Sequence, residues 1–502
     1  MVEFSLPRGT MDFLPEEMAQ RRYVEDIVRK TFESFGFQEV QTPIFEEFAL
    51  LAARSGEEIR EGMFTFMADE VEYALRPEVT AAVCRMIVTG KIALPKPYKV
   101  YYLGPCFRYE EPQAGRYRQF WQAGIELMGS QSPVADAEVI CVGAKTLENV
   151  GITPYRLKVG NIGIFRGILE DVGLDLEDQN RIIGNIDGIM SNREKCALIA
   201  EKKELGIDDQ NYIKTYLNLL YDMQMGLINE GIEVVGEYEI LPSALENLSL
   251  WVDTLPTVME QTYRAAWIAE GMPEKTVDLL LEVSRVSGAR SDVMPRAQVL
   301  LKGSAAETPL QELDKVLSNL EAFGVTNYEV VLGVARGLDY YTGTVFEFDV
   351  PLLGAQKQVC GGGRYDRLVE EFGGPPTPAT GYAFGFDRIV LSRLLVKEIP
   401  VPRKVDVFIA VVDESLGQNA IQISQGLRER GYKVEIEMTQ RDLKGQLGYA
   451  SEIKAKYCVI LGPRELREGK VMLKNLDTEE QAAVLLGELT EVIGKEKAGI
   501  ED

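Results

Sequence analysis

Two β-rich runs, Tyr98-Lys99-Val100-Tyr101-Tyr102-Leu103 and Phe120-Trp121-Gln122-Ala123-Gly124-Ile125-Glu126-Leu127, flank a polar loop that carries several arginines. The pattern predicts a long antiparallel hairpin. Side chains alternate between the faces of a strand, so Arg108 and Glu110 share one face of the first arm. Arg116 and Arg118 stand at the return, and Phe120, Gln122, Gly124 and Glu126 share a face of the second arm. One concave surface thus collects guanidinium groups, an aromatic plate and two carboxylates. Such groups can clamp a nucleotide: arginine on phosphate, a ring stacked on the base, an acid accepting from the base amine. An exposed hairpin with ordinary surface ion pairs is the alternative.

Histidine is absent from all 502 residues. Its absence excludes Ser-His-Asp and Cys-His nucleophile systems, imidazole bases and His-ligated metals. Six cysteines occur, Cys84, Cys106, Cys141, Cys196, Cys360 and Cys458, with no C-x-x-C pair. No metal site built from His or Cys is therefore expected, and the chain reads as a reduced, cytoplasmic protein. No apolar run of signal-peptide length opens it, and none approaches the roughly 20 residues that cross a bilayer. A net charge of −24 argues against indiscriminate nucleic-acid binding but leaves room for a local basic surface. Residues 405–474 carry 11 Lys and Arg against 10 Asp and Glu, a near-neutral stretch on an acidic chain. A polyanion could land there, although a solvated mixed-charge face is the commoner meaning of such a stretch.

Helical spacing of Val24, Ile27, Val28, Phe32 and Phe35 predicts a helix over 16–36, with Gly36 past its end. Phe37–Ile44 reads as a strand whose Pro43 suits an edge or interface. Leucine-rich helical patterns dominate 161–328, and strands return at Val330–Val334 and Thr344–Val350. A glycine-punctuated segment then leads into a helix over Ala379–Leu394. Ile399–Lys404 holds two prolines and reads as a stiff linker. Beyond it, runs at Val405–Val412, Tyr432–Met438, Tyr457–Leu461 and Lys470–Leu476 alternate with helical patterns, the mark of a small α/β domain.

Pro43 within Gln41–Glu46, the stretch from Phe107 to Glu110 with its loop through Arg116, and Gly381–Arg388 resemble, in that order, the three motifs of class II aminoacyl-tRNA synthetases. Two further segments, Arg336-Gly337-Leu338-Asp339-Tyr340-Tyr341-Thr342-Gly343-Thr344-Val345-Phe346-Glu347 and Gly361-Gly362-Gly363-Arg364-Tyr365-Asp366, closely resemble signatures of histidyl-tRNA synthetases. Leu75–Thr80 and Arg8–Phe13 match that family too. The resemblance covers 1–160 and 330–502 well, with the helical region between them looser and longer than usual. Trp121 departs from the histidine common at that place, and Asp187-Gly188-Ile189-Met190 stands where Asp-Lys is often found.

The resemblance implies an α/β (α+β) protein: an antiparallel-sheet catalytic domain (1–160 and 329–398) interrupted by a helical insertion (161–328). A linker (399–404) and an anticodon-binding α/β domain (405–502) complete it. It implies ATP-dependent ligation of L-histidine to histidine tRNA through a histidyl-adenylate. ATP is the cosubstrate, with Mg²⁺ bridging its phosphates, and a homodimer forms through the motif around Pro43. Arg108 is expected on the α-phosphate, Glu110 on the adenine amine, Phe120 on the base, and Arg116 and Arg388 on the β- and γ-phosphates. Arg336 is expected beside the reacting carboxylate. Glu78, Thr80, Gln122 and Glu126 would meet the amino acid's ammonium and ring, Tyr341 and Tyr365 would line the imidazole pocket, and Gln113 and Arg118 would meet the tRNA acceptor end. The alternative is an inactive histidine-binding regulatory subunit of ATP phosphoribosyltransferase. That paralogue usually lacks a C-terminal domain and catalytic arginines, both present here.

Overall fold

The computed structural model describes residues 5–53, 62–91, 95–110, 116–202, 205–229, 232, 248–334, 340–401 and 403–495. The chain divides into two compact units, Met1–Ile399 and Pro400–Asp502.

The first unit is built on nine strands: β1 (Gln38–Glu39), β5 (Tyr98–Phe107), β6 (Gln119–Met128), β7 (Arg156–Asn161), β8 (Ser287–Gly288), β9 (Glu329–Val331), β10 (Thr344–Asp349), β11 (Gln358–Arg364) and β12 (Ala379–Gly385). They pair in the order β1-β5-β6-β12-β11-β10-β7-β9-β8. Every pairing is antiparallel except β1 with β5 and β7 with β9. A smaller sheet orders β2 (Phe45–Glu47), β4 (Val71–Leu75) and β3 (Thr65–Ala68) as β2-β4-β3.

The predicted hairpin is β5 and β6, paired over ten residues each from Tyr98↔Met128 to Phe107↔Gln119. The proline-bearing segment after the first helix (Pro15–Ser34) keeps only two residues as strand, at the sheet edge where a residue lacking an N–H is tolerated. One expectation is corrected. Ala379–Gly385 is not helical but a central strand, buried between β6 and β11, and the helix begins only at Phe386. Glycines at 381 and 385 suit a strand that must let neighbouring groups approach closely, and pairing on both sides overrides their weak strand propensity.

Helix Pro133–Val150 packs against β12, the first helix and the helix Glu307–Ala322. Its ends follow from sequence: Ser132 accepts from the Val134 N–H at 3.3 Å, Pro133 fills the first turn, and Gly151 takes a φ of 84° past the end. Between β7 and β9 the described residues are helical apart from β8 and short connections, and they remain within the first unit.

In the second unit, β13 (Val407–Val411), β14 (Val434–Ile436), β15 (Tyr457–Leu461), β16 (Lys470–Asn475) and β17 (Gln481–Leu485) form a sheet in the order β14-β13-β15-β16-β17. The first three in that order run parallel, and the last two are antiparallel. The last strand carries no sequence signal: four of its five residues are exposed. No helix among the described residues is long and apolar enough to cross a membrane.

Candidate active site

Strand register lays out the floor of the site. Val100, Glu126, Gly381 and Gly363 stand side by side across β5, β6, β12 and β11. Tyr102, Gly124, Ala383 and Gly361 form the next row, and Gly104, Gln122 and Gly385 the one after. Directly paired residues project to the same side of a sheet. A patch of glycine and alanine therefore lies beside one carboxylate, with the Tyr102 hydroxyl over Gly124 and Tyr341 over Gly363. At Gly381 the absence of a side chain is obligatory, because a Cβ there would collide with the Glu126 carboxylate.

Glu126 is buried and sits at the centre of a ring of hydroxyls. Thr80 donates to Oε1 at 2.7 Å, Tyr102 donates to Oε1 at 3.3 Å, and Tyr365 donates to Oε2. Burial pushes its carboxyl up to about 8. The three hydroxyl bonds oppose that rise, and the neighbouring Glu78 charge adds to it. Glu78 is buried at the start of the helix Thr80–Val88, where its carboxylate accepts from the Thr80 N–H and, at 3.0 Å, from the Ala81 N–H. Burial raises its pKa as well, against those N–H groups and Arg108. Gln122 is buried beside Cys106, its Oε1 3.3 Å from Sγ.

Tyr365 is 1% exposed, and its ring meets that of Tyr340 edge-on at 5.6 Å. Tyr341 packs over Gly363, where a Cβ would come within 2.9 Å of its ring. Its carbonyl takes a bond from Arg166 at 3.1 Å. Tyr340 is the residue that sequence reasoning missed. Burial, then the charges of Tyr341, Glu78 and Glu126, hold its hydroxyl well above the usual phenol range. Tyr102 was also missed. Its signal was the register of the hairpin, which pairs it with Gly124.

At the other end of the floor the charges converge. Arg108 lies with its guanidinium 5.3 Å from the Phe120 ring centroid and donates from Nε to the Pro77 carbonyl at 3.1 Å. Glu110 and Arg116 form an ion pair. Burial works to raise the Glu110 carboxyl, but Arg116, with Arg108 and Arg388 behind it, carries it below its ordinary value. Arg388 donates to the Gln358 carbonyl at 2.7 Å. Burial and then the like charges of Arg116 and Arg108 lower its pKa, against Glu110 and Asp387. Arg108, Arg116 and Arg388 thus lie near enough to act on one another, with Glu110 and Asp387 as their acidic neighbours.

Asp387 anchors this end from behind, accepting from Arg21 at 2.5 Å and from the Trp121 N–H at 2.7 Å. Trp121 itself lies 5.8 Å from the Arg21 guanidinium. Arg118 stacks on Tyr109 at 4.1 Å and donates to the Glu110 carbonyl. Arg336 and Gln113 lie outside the described residues. No group of three or more His, Cys, Asp and Glu among the described residues could hold a metal ion, and all six cysteines are free and buried.

The family model of histidyl-tRNA synthetases matches residues 9–205 and 261–389, and that of an anticodon-binding domain matches 406–496. The histidine–tRNA ligase of Methanocaldococcus jannaschii is 36% identical over 492 residues, spanning 98% of this chain and 99% of that one. The histidine–tRNA ligase of Archaeoglobus fulgidus is 37% identical over 489 residues, spanning 97% and 98%. Among solved structures, a histidyl-tRNA synthetase from a Nostoc species shares the fold with a TM-score of 0.69 at 22% identity, covering 99% of this chain and 100% of that one. A Bacillus halodurans chain described as an ATP phosphoribosyltransferase regulatory subunit/histidyl-tRNA synthetase shares it with a TM-score of 0.65 at 20% identity, covering 92% and 100%. Sequence likeness that runs almost end to end, over a site whose register, carboxylates and arginines have been described above, leads to one assignment: the chain belongs to the histidyl-tRNA synthetase family.

Proposed function

We propose that this protein joins L-histidine to its tRNA in two steps, and that the floor between Glu126 and Arg388 is where both occur. The observation that carries the reading is one buried acid ringed by hydroxyls at one end of the floor, with Arg108 over Phe120 and Arg116 paired with Glu110 at the other. In the first step the histidine carboxylate attacks the α-phosphorus of ATP. The bond to the bridging oxygen breaks, pyrophosphate leaves, and histidyl-adenylate remains. The carboxylate is already a nucleophile, so no protein base is required, and a chain without histidine loses nothing. The barrier is negative charge gathering at phosphorus, which fixed cations relieve.

In this reading Arg108 holds the α-phosphate, Glu110 accepts from the adenine amine, and Phe120 stacks on the base. Arg116 and Arg388 hold the β- and γ-phosphates, and Arg336 stands beside the reacting groups. Entry of the nucleotide exchanges the Glu110–Arg116 pair for contacts to adenine and phosphate. Magnesium carried by the nucleotide would add charge neutralisation at the phosphates, beside Arg108, Arg116 and Arg388. Glu78, Thr80, Gln122 and Glu126 meet the ammonium and imidazole of histidine, with Tyr340, Tyr341 and Tyr365 as walls. In the second step a ribose hydroxyl of the tRNA attacks the carbonyl carbon. Its proton passes to a phosphate oxygen of the adenylate, and AMP departs.

Residues 405–502 reach the anticodon, while Gln113 and Arg118 meet the acceptor end. A homodimer forms through the segment around Pro43, where Ile44, Phe45, Phe66 and Met67 are exposed. Free, buried cysteines suit a cytoplasmic enzyme. Pyrophosphate exchange with each of the twenty amino acids tests the reading. Exchange with histidine alone is expected, and histidine binding without exchange would select a regulator instead.

A further inference from the structure

Arg364 has no part in the reactions above, yet the residue is 7% exposed and its guanidinium is heavily bonded. Nε and Nη2 grip the buried Asp136 carboxylate at 2.7–3.1 Å, and Nη1 donates to the Ser130 carbonyl at 2.9 Å and to Asp366 Oδ1 at 3.0 Å. Ser130 follows the end of β6, the strand that carries Glu126, and Asp136 lies in the first turn of the helix Pro133–Val150. The backbone of Arg364 accepts from the Thr342 N–H at 2.8 Å, one residue after Tyr341. Thr342 Oγ1 in turn accepts from the Asp366 N–H at 3.1 Å. Asp366 Oδ1 also takes the Ala379 N–H at 3.2 Å, at the first residue of the strand that carries Gly381, and the Ala379 carbonyl accepts from the Tyr365 N–H at 2.8 Å. One side chain and its immediate partners therefore bind together the segments bearing Glu126, Tyr365, Tyr340 with Tyr341, and Gly381.

We propose that Arg364, with Asp136 as its counter-ion, is the positioning residue of the histidine pocket. It fixes the Tyr365 hydroxyl on the Glu126 carboxylate and the Tyr340 ring against Tyr365 without touching substrate. This rests on the histidine reading of that pocket. Stability alone is a poor reason for such a pair, because a buried ion pair often contributes no more than apolar side chains of the same volume. Geometry is a better one: a planar fork with five donors can hold a carboxylate and two further acceptors in fixed directions, which an ammonium cannot.

Three variants test it. Arg364→Lys keeps the charge and loses the fork, Asp136→Asn keeps the shape and loses the charge, and Thr342→Val removes one link while leaving the ion pair. Each is assayed by histidine-dependent pyrophosphate exchange, with KM measured for histidine and for ATP and with thermal melts alongside. Arg364→Lys and Asp136→Asn are expected to raise the histidine KM about 10-fold or more, because small misplacements of binding groups are costly. Thr342→Val should raise it by a smaller factor, and the ATP KM should stay within about 2-fold throughout, since the fork reaches only the amino-acid end. An unchanged histidine KM in the folded variants overturns the proposal, as does a parallel rise in both KM values. Should the two ion-pair variants fail to fold, Thr342→Val decides, and its own failure to fold would mark the network as scaffold. Absence of histidine exchange in the wild-type protein would instead strike the pocket reading itself.

Discussion

Glu126 concentrates the physics of the buried end of the floor. A carboxyl titrating near 8 when folded and near 4.5 when unfolded binds more protons in the native state between those values. Native stability therefore falls as pH rises through that window, since the unfolded chain releases its proton first. Glu126→Gln has no such proton to lose. Melting curves of wild type and variant from pH 5 to 9 should show the wild type losing ground with rising pH; parallel curves would contradict the assignment. Gly381 guards the same group from the neighbouring strand. Gly381→Ala should raise the histidine KM at least about 10-fold, as the new methyl displaces the carboxylate, and leave the ATP KM nearly unchanged. Glu126 was legible in the sequence because strand alternation places it with Gln122 and Phe120. Tyr340 was not, because it precedes β10 in an irregular stretch where no period sets which of two adjacent tyrosines faces the acid.

Elements follow the chain's local chemistry where that chemistry is decisive. The hairpin, the small α/β unit and the first helix were readable from strand alternation, helical spacing and the glycine past the helix end. Ala379–Gly385 was misread although Thr380, Tyr382 and Phe384 alternate with Gly381, Ala383 and Gly385, because glycine's weak strand propensity hides that period and pairing with β6 and β11 fixes it. Helix Leu176–Ala200 shows the local rule at work: the Asp175 carboxylate accepts from the Asp178 N–H at 3.0 Å. Asp175→Ala should cost about 1 kcal/mol, the usual worth of such a cap. Differential scanning calorimetry would register it as a melting point lower by about 1 °C, since the unit that holds this helix is large. The same helix supplies Asn180, which accepts from Arg166 at 2.9 Å, so its first turns also steady the carbonyl of Tyr341.

At the scale of the molecule, two compact units meet at Ile399 and Pro400. Each has its own sheet and its own buried core. Division of labour follows: a chain ending at Ile399 should keep histidine-dependent pyrophosphate exchange within a few-fold of the whole protein. Its kcat/KM for charging tRNA should drop by about 10² or more, because a second tethered contact multiplies affinity on that order. Exchange lost together with charging would show that the first unit does not stand alone. Two prolines and the change to alternating strands and helices are what suggested a break near 399–404. The meeting of Arg108, Arg116 and Arg388 was expected from the family resemblance alone, since no period in the sequence shows that β12 lies against β6. The paving of glycine and alanine under Tyr102, Tyr341 and the Glu126 carboxylate has a consequence for how selectivity can drift. Where there is no side chain to trim, inheritance can only add bulk. Descendants of this enzyme that accept a larger amino acid must therefore have been remodelled at the walls, and a selection for such acceptance should leave positions 124, 361, 363 and 381 untouched.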